Sequence, residues 1–502
     1  MSTEENMYDL LVIGGGINGA GIARDAAGRG LKVLLCEKDD LAAHTSSAST
    51  KLIHGGLRYL EQYDFGLVRK ALQEREVLLK AAPHIIWPLR FVLPHHKDLR
   101  PAWLIRLGLF LYDHLGGRKI LPPTRTLKRS SSKVFVPLKT QFSKGFEYSD
   151  CWVEDARLVA LNAIDASERG AAIMTRTACT RLTPIGTHWE AELRVNGAAS
   201  KTIKAKVVIN AAGPWVDSIA QQVGMTRNAP QVRLVKGSHI IVPKLFEDER
   251  CFIFQAGDGR VVFAIPYERG AFTLIGTTDL PYNDDLDAVE ASADEIDYLC
   301  DVSNSYFDTQ ISPSDVVSTF SGVRPLYEDQ AENASSVTRD YVLKIDHHDG
   351  APMLSVFGGK ITTYRKLAED ALKQLADFLP DAQTPWTANT PLPGGDIVNA
   401  DFEAFETECV ARYPWLDPDL RYRLARTYGT RVFSILGQAA SVSDLGHPFG
   451  AGLYQREVDY LIAHEFAQSA DDILWRRTKL GLHMTQAEIF ALKDHFSARL
   501  VA

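Results

Sequence analysis

The stretch DLLVIGGGINGAGIARDAAGRGLKVLLCE, residues 9–37, decides the fold. Residues 10–13 are an apolar run that reads as a strand, Gly14-Gly15-Gly16-Ile17-Asn18-Gly19 is a glycine turn, residues 20–27 are an Ala-rich helical segment, and residues 32–36 read as a second strand. This is a βαβ unit in which Gly14, Gly16 and Gly19 supply G-x-G-x-x-G between strand and helix, and Glu37 closes the second strand. The glycines let backbone approach a pyrophosphate at the helix N-terminus, where unpaired N–H groups and the helix dipole favour anions, and Glu37 can accept bonds from a ribose hydroxyl pair. A glycine turn in an ordinary α/β domain would not need strand, turn, helix and acidic residue to coincide, so a bound dinucleotide is expected.

Further strand-like runs at residues 205–210, 238–242, 261–265 and 272–275 make the fold mixed α/β. Turn residues at 391–395 (Pro-Leu-Pro-Gly-Gly) mark a domain boundary, and the chain beyond them is helix-rich. At 502 residues, 45% hydrophobic and 24% charged, the composition is that of a globular protein of two to three domains. A net charge of -8 argues against a general nucleic-acid binder. The six cysteines include no C-x-x-C pair, so neither a metal site nor a disulfide framework is indicated and a reducing compartment fits best. The N-terminus lacks a basic, then apolar, secretory pattern, and no apolar run is long enough to span a bilayer, so any membrane contact is expected to be peripheral. The fingerprint is common to FAD and NAD sites. No second copy occurs, which favours one tightly held flavin nucleotide reoxidised by something other than NAD.

Charge is distributed unevenly. Residues 90–144 hold twelve Lys or Arg against two acidic residues, and include the run PAWLIRLGLFLY at 101–112. That run is too short and too charged to span, but it suits an interfacial helix on an anionic lipid surface. A core helix beside a solvated basic loop, or a positive field serving an anionic substrate, would give the same composition.

Five further segments carry a likeness: TSSASTKLIHGGLRYL at 45–60, KGSH at 236–239, SGVRPL at 321–326, TRDY at 338–341, and SVFGGKITTYR at 355–365. With the fingerprint, and with DDILWRRTK at 471–479, they closely resemble the aerobic FAD-dependent glycerol-3-phosphate dehydrogenases. The resemblance implies a glycine-oxidase-like flavoprotein: a Rossmann-like FAD-binding domain assembled from residues 1–60, 145–235 and 340–390, a β-rich substrate cap from 61–144 and 236–339, and a helical C-terminal domain at 395–502. It implies non-covalent FAD held by Gly14, Gly16, Gly19, Glu37, Thr45, Ser46, Ser49, His54, Gly55, Ala212, Gly213, Gly359, Lys360 and Thr362. It also implies a phosphate clamp from Arg58, Tyr59 and Arg339, with Arg324 and Lys360 nearer the alcohol oxygen and the flavin. The expected reaction is hydride transfer from C2 of sn-glycerol 3-phosphate to flavin, with electrons passed to a membrane quinone at the cytoplasmic face of the inner membrane.

Oxidising a secondary alcohol also needs a proton acceptor. Imidazole has a suitable pKa, and His239 and His54 both sit in matching motifs, so either can be the base and either can instead hold the flavin. Residues 358–363 precede a helical pattern at 364–379, which places a helix N-terminus where it can stabilise negative charge on a reduced flavin; the threonines there can also be simple caps. Trp475, Arg476 and Arg477 are expected to pack and pair within the helical domain, where no chemistry is assigned, and a homodimer is left open. The main alternative is a glycerol-3-phosphate oxidase using oxygen. An amino-acid oxidase would need a carboxylate clamp instead, and a flavin-binding membrane adaptor would have no turnover.

Overall fold

The structure is a computed structural model describing residues 7–57, 60, 64–117, 119–223, 232–327, 340–348 and 350–501. Two large sheets and a helical domain make up these residues. In the first sheet Met7–Ile13 lies between Ala199–Asn210 and Val33–Cys36, parallel to both, and Ala351–Phe357 and Ala172–Met174 extend the parallel order on either side. Leu10, Leu11 and Val12 are fully buried because the sheet is covered on both faces, which is why this strand reads as a continuous apolar run. Ile17–Gly28, Asp155–Glu168 and Tyr364–Gln374 pack over one face, with Val12, Ile22, Leu158 and Leu367 in one core; Leu11, Leu34, Trp189 and Leu193 fill the other. The helix after residue 363 ends at Gln374, and a tighter turn at Ala376–Phe378 replaces its expected last turn.

The second sheet is the β-rich cap. Val232–Pro243 pairs with Ser318–Tyr327, Phe272–Gly276 and Leu280–Pro281, and the sheet continues through Cys251–Gln255 to Ile86–His95 and Lys144–Val153. Leu52–Ile53 pairs with the end of Lys144–Val153 (Leu52 opposite Trp152). Residues 52–53 and 144–153 therefore belong to the cap sheet although the division drawn from sequence gives residues 1–60 and 145–235 to the cofactor part. The reason is register: Ile86–His95 and Lys144–Val153 pair along their whole length. Residues 52–53 thereby carry the chain that leaves the first sheet at Cys36 into the cap sheet.

The C-terminal part has its own core, in which Phe405, Leu424, Tyr428, Val458 and Leu461 meet. Its helices are capped locally: Asp401 accepts from Ala404 N–H, and Asp417, followed by Pro418 at the first helical position, accepts from the N–H groups of Asp419 and Leu420. Among the described residues no helix is long and apolar enough to cross a membrane.

Candidate functional site

The first sheet ends in a cavity whose walls include Gly14, Gly16, Glu37, Thr45, Ser46, Ala212, Gly213 and Gly359. Gly14 has φ +110°, and a Cβ there would lie 2.5 Å from the carbonyl oxygen of Ala211. A Cβ on Gly19 would lie 1.9 Å from the Gly14 carbonyl oxygen, so Gly19 acts beneath the turn by letting helix and strand approach. The turn opens the helix Ile17–Gly28, whose N-terminal position is Gly16 and therefore offers no side-chain cap. The missing cap comes from a distance: Ser46 Oγ accepts from Ile17 N–H at 3.0 Å. Glu37 is buried and its carboxylate accepts from Gly15 N–H at 2.6 Å and Asp39 N–H at 2.9 Å. Burial pushes its pKa up while the two N–H donors oppose the shift. The residue expected to meet a ribose thus also fixes the glycine turn against the following loop. Bare glycine backbone, a helix N-terminus and an acidic residue at the strand end fit a dinucleotide.

Other expected cofactor residues have structural partners. Thr45 Oγ1 donates to the Val323 carbonyl at 2.7 Å, linking this cavity to the cap. Ser49 Oγ donates to Asp155 at 2.7 Å, so its hydroxyl organises the loop rather than standing free for a ligand. Thr362 Oγ1 meets both the N–H and the carbonyl of His54, at 3.2 and 3.3 Å, and makes no cap of its own helix. Gly55 N–H donates to Tyr112 Oη at 2.8 Å, and a Cβ there would strike Leu72. Gly358 and Gly359 both have positive φ, and the Gly358 carbonyl accepts from Asn18 on the first helix, directly before Lys360.

On the cap side, His239 is buried with its ring stacked on Phe320 (4.7 Å, 16°) and Nε2 3.0 Å from Thr50 Oγ1. Gly276, opposite in the ladder, is what leaves room: a Cβ there would lie 2.1 Å from the imidazole. Burial first, then the charges of Lys51 and Arg324, holds His239 well below the usual imidazole pKa, so it is neutral. Its Nδ1 has no hydrogen-bond partner among the described residues. Arg324, on the neighbouring strand, donates to the Thr278 carbonyl at 3.2 Å and to Asp279 at 3.0 Å. Arg58, Tyr59 and Arg339 lie outside the described residues.

A buried ion pair that sequence reasoning did not single out joins the halves. Lys51 Nζ donates to both oxygens of Asp155, at 2.9 and 3.0 Å, and to the Ser47 carbonyl, and sits 4.7 Å from the centre of the Phe320 ring. Lys51 holds φ +60°, strained for a side-chain-bearing residue, and Ser49 and Lys51 are tied to Asp155 on either side of Thr50. The pair presents Thr50 to His239. Lys51 lies within a quoted motif, but Asp155 carries no sequence signal because its partner is 104 residues away.

A family model described as FAD dependent oxidoreductase matches residues 9–365, and one described as the C-terminal domain of alpha-glycerophosphate oxidase matches 385–495. A glycerol-3-phosphate dehydrogenase of Pseudomonas aeruginosa is 54% identical over 493 residues, covering 98% of this chain and 95% of that protein. A D-erythritol 1-phosphate dehydrogenase of Brucella abortus is 53% identical over 501 residues, covering 99% of this chain and 100% of that one. Among solved structures, the glycerol-3-phosphate dehydrogenase of Bacillus halodurans complexed with FAD superposes with a TM-score of 0.76 at 27% identity, covering 99% of this chain and 95% of that one.

Proposed function

This chain belongs to the FAD-dependent oxidoreductase family, and we propose that it oxidises sn-glycerol 3-phosphate to dihydroxyacetone phosphate where the cap meets the 45–51 loop. FAD, held by the glycine turn, supplies the acceptor for the hydride that leaves C2. The chain's own residues bind the phosphate, orient the alcohol and take its proton. Arginine forks suit a phosphate dianion because they donate two charge-assisted bonds at once, the role assigned here to Arg58 and Arg339 with Tyr59. Arg324 and Lys360 are assigned to the alcohol end. His239 is assigned as base, with Thr50 on Nε2 fixing the ring and leaving Nδ1 as the nitrogen without a protein partner among the described residues. His54, the other candidate, is tied through its backbone to Thr362. The observation that carries this reading is a buried imidazole stacked on Phe320 and fixed by Thr50, on the cap strand that pairs with the strand of Arg324.

A second substrate reading has its own support in the similarity to the erythritol phosphate enzyme, whose substrate is also a polyol phosphate. Comparing kcat/KM for glycerol 3-phosphate and erythritol phosphate separates the two; a preference for the four-carbon ester would displace the three-carbon assignment.

The acceptor is proposed to be a membrane quinone, reached from the cytoplasmic face. Support comes from the helix Ala102–Leu115, where Trp103, Leu107 and Phe110 lie on one face and are 69%, 48% and 52% exposed. Leu109 and Tyr112 bury the opposite face, and Tyr112 Oη bonds to Asp150 and to Gly55 N–H. An apolar face in a basic segment suits the headgroup boundary of anionic lipid. Flotation with anionic vesicles at low salt tests this: wild type should float and Trp103→Asp/Phe110→Asp should not, whereas equal behaviour would remove the membrane from the account. Near-stoichiometric hydrogen peroxide in air, with no turnover on quinone analogues, would favour the oxidase instead.

A further inference from the structure

The C-terminal motif at 471–479 reads from sequence as pairing inside its own helical domain, and the structure takes two of its arginines elsewhere. Arg477 is completely buried and grips Asp40 with both terminal nitrogens, Nη1 to Oδ2 at 2.6 Å and Nη2 to Oδ1 at 2.8 Å. Arg476 Nε donates to the same carboxylate, and Arg176 Nη1 lies 3.4 Å from it. The arginines are themselves held. Arg477 Nε and Nη2 donate to the Glu465 carbonyl, while Arg476 and Arg176 share Asp472, which also accepts from Ser469 Oγ and from the N–H groups of Gln468 and Ser469. Asp472 is buried, which raises its pKa, yet Arg476, the Gln468 N–H and Arg176 outweigh this and keep its carboxyl below the usual range.

What Asp40 belongs to gives this cluster its meaning. It lies in the loop that leaves the second strand at Glu37, and Glu37, Lys38, Ala42 and Ala43 of that loop line the dinucleotide cavity. The loop is also held by Glu37 on Gly15, by Ala42 N–H on the Gly15 carbonyl, by Arg176 N–H on the Asp39 carbonyl, by the Lys38–Asp287 and His44–Asp39 pairs and by Leu41 buried in the core, and Asp40 is where Arg476 and Arg477 of the C-terminal domain take hold of it. Ala42 and Arg176 both hold positive φ, a conformation that persists only when the surroundings impose it. A fully desolvated carboxylate shared among guanidinium groups is a costly way to gain stability alone, since apolar packing would serve as well, but it fixes geometry tightly.

We infer that Arg476 and Arg477 are positioning residues for the cofactor: the C-terminal domain closes the adenosine side of the dinucleotide site by pinning the loop after Glu37 through Asp40. A domain with no chemistry of its own thereby sets how firmly FAD is retained.

Titrating FAD into flavin-stripped protein, followed by quenching of flavin fluorescence, tests this alongside thermal unfolding. Arg477→Ala and Asp40→Asn should each raise the FAD Kd by at least about tenfold, because the binding-competent loop is populated less often, and excess FAD should restore turnover. The double variant should be no worse than the weaker single, as expected for one shared contact. Arg423→Ala is the control: it breaks another largely buried pair of the same domain, with Glu457, that touches no cofactor loop, so it should lower the unfolding temperature and leave the Kd alone. A Kd unchanged within about twofold in both Arg477→Ala and Asp40→Asn, or raised equally in Arg423→Ala, overturns the inference. If Arg477→Ala does not fold, Arg476→Gln replaces it under the same criteria. Failure of the wild-type protein to take up FAD would contradict the cofactor itself, a separate outcome.

Discussion

The proposed adenosine half and the proposed substrate half of the site are built in opposite ways. In the first, residues 14–46 supply the largest single share of the wall, and the chemistry belongs to backbone: glycine N–H groups, a helix N-terminus, one acidic side chain. In the second, His239 and Arg324 come from neighbouring strands in which Val235 faces Arg324 and His239 faces Phe320, and a Lys51–Asp155 pair from the loop and a distant helix supports them. A site made of backbone leaves a spacing in the sequence. A site made of side chains leaves only residue types, whose partners are set by strand register and by an ion pair 104 residues apart.

The difference can be broken or sharpened by substitution. His239→Ala should slow flavin reduction by about 10²- to 10⁴-fold, the usual worth of a positioned base, with FAD content unchanged; equal turnover in stopped-flow would take His239 out of the mechanism. Asp155→Ala leaves the Lys51 ammonium buried without its carboxylate, and urea unfolding should reveal a loss of about 3–5 kcal/mol; a loss below about 1 kcal/mol would mean the pair organises nothing. Gly14→Ala acts only on the other half: a Cβ 2.5 Å from the Ala211 carbonyl oxygen, at φ +110°, should weaken FAD binding through about 1–3 kcal/mol of strain, and unaltered affinity by calorimetry would detach the turn from the nucleotide.

The smallest effect is a pH dependence. Because burial, Lys51 and Arg324 depress the His239 pKa, the stability that the neutral ring contributes is complete above the ordinary value of about 6.5 and is lost as pH falls from there through the folded-state pKa. The acid limb of flavin reduction at saturating substrate should accordingly lie below pH 6.5, whereas a limb above it would place the proton acceptor elsewhere.

Legibility followed the same division. The strand–turn–helix of residues 9–37 was readable because periodicity and glycine spacing are local, and the observed helix Ile17–Gly28 contains the expected 20–27. Lys144–Val153 was not readable as a cap strand, since nothing in its own residues says that Ile86–His95, not the cofactor sheet, will pair with it. Ser49 and Thr362 carry the right residue types at the right places, yet their hydroxyls bond to Asp155 and to the His54 backbone. Asp40 and Asp155 left no trace because a buried carboxylate shows its importance only through its partners, which come from residues 476–477 and from Lys51.

The most direct test of the whole account is an anaerobic one. Purified protein carrying its flavin is mixed with sn-glycerol 3-phosphate and the visible flavin band is followed. The account predicts full bleaching in a single turnover, with one dihydroxyacetone phosphate formed per flavin. A band that persists with saturating polyol phosphate, in protein that still binds FAD and is bleached by dithionite, would contradict it.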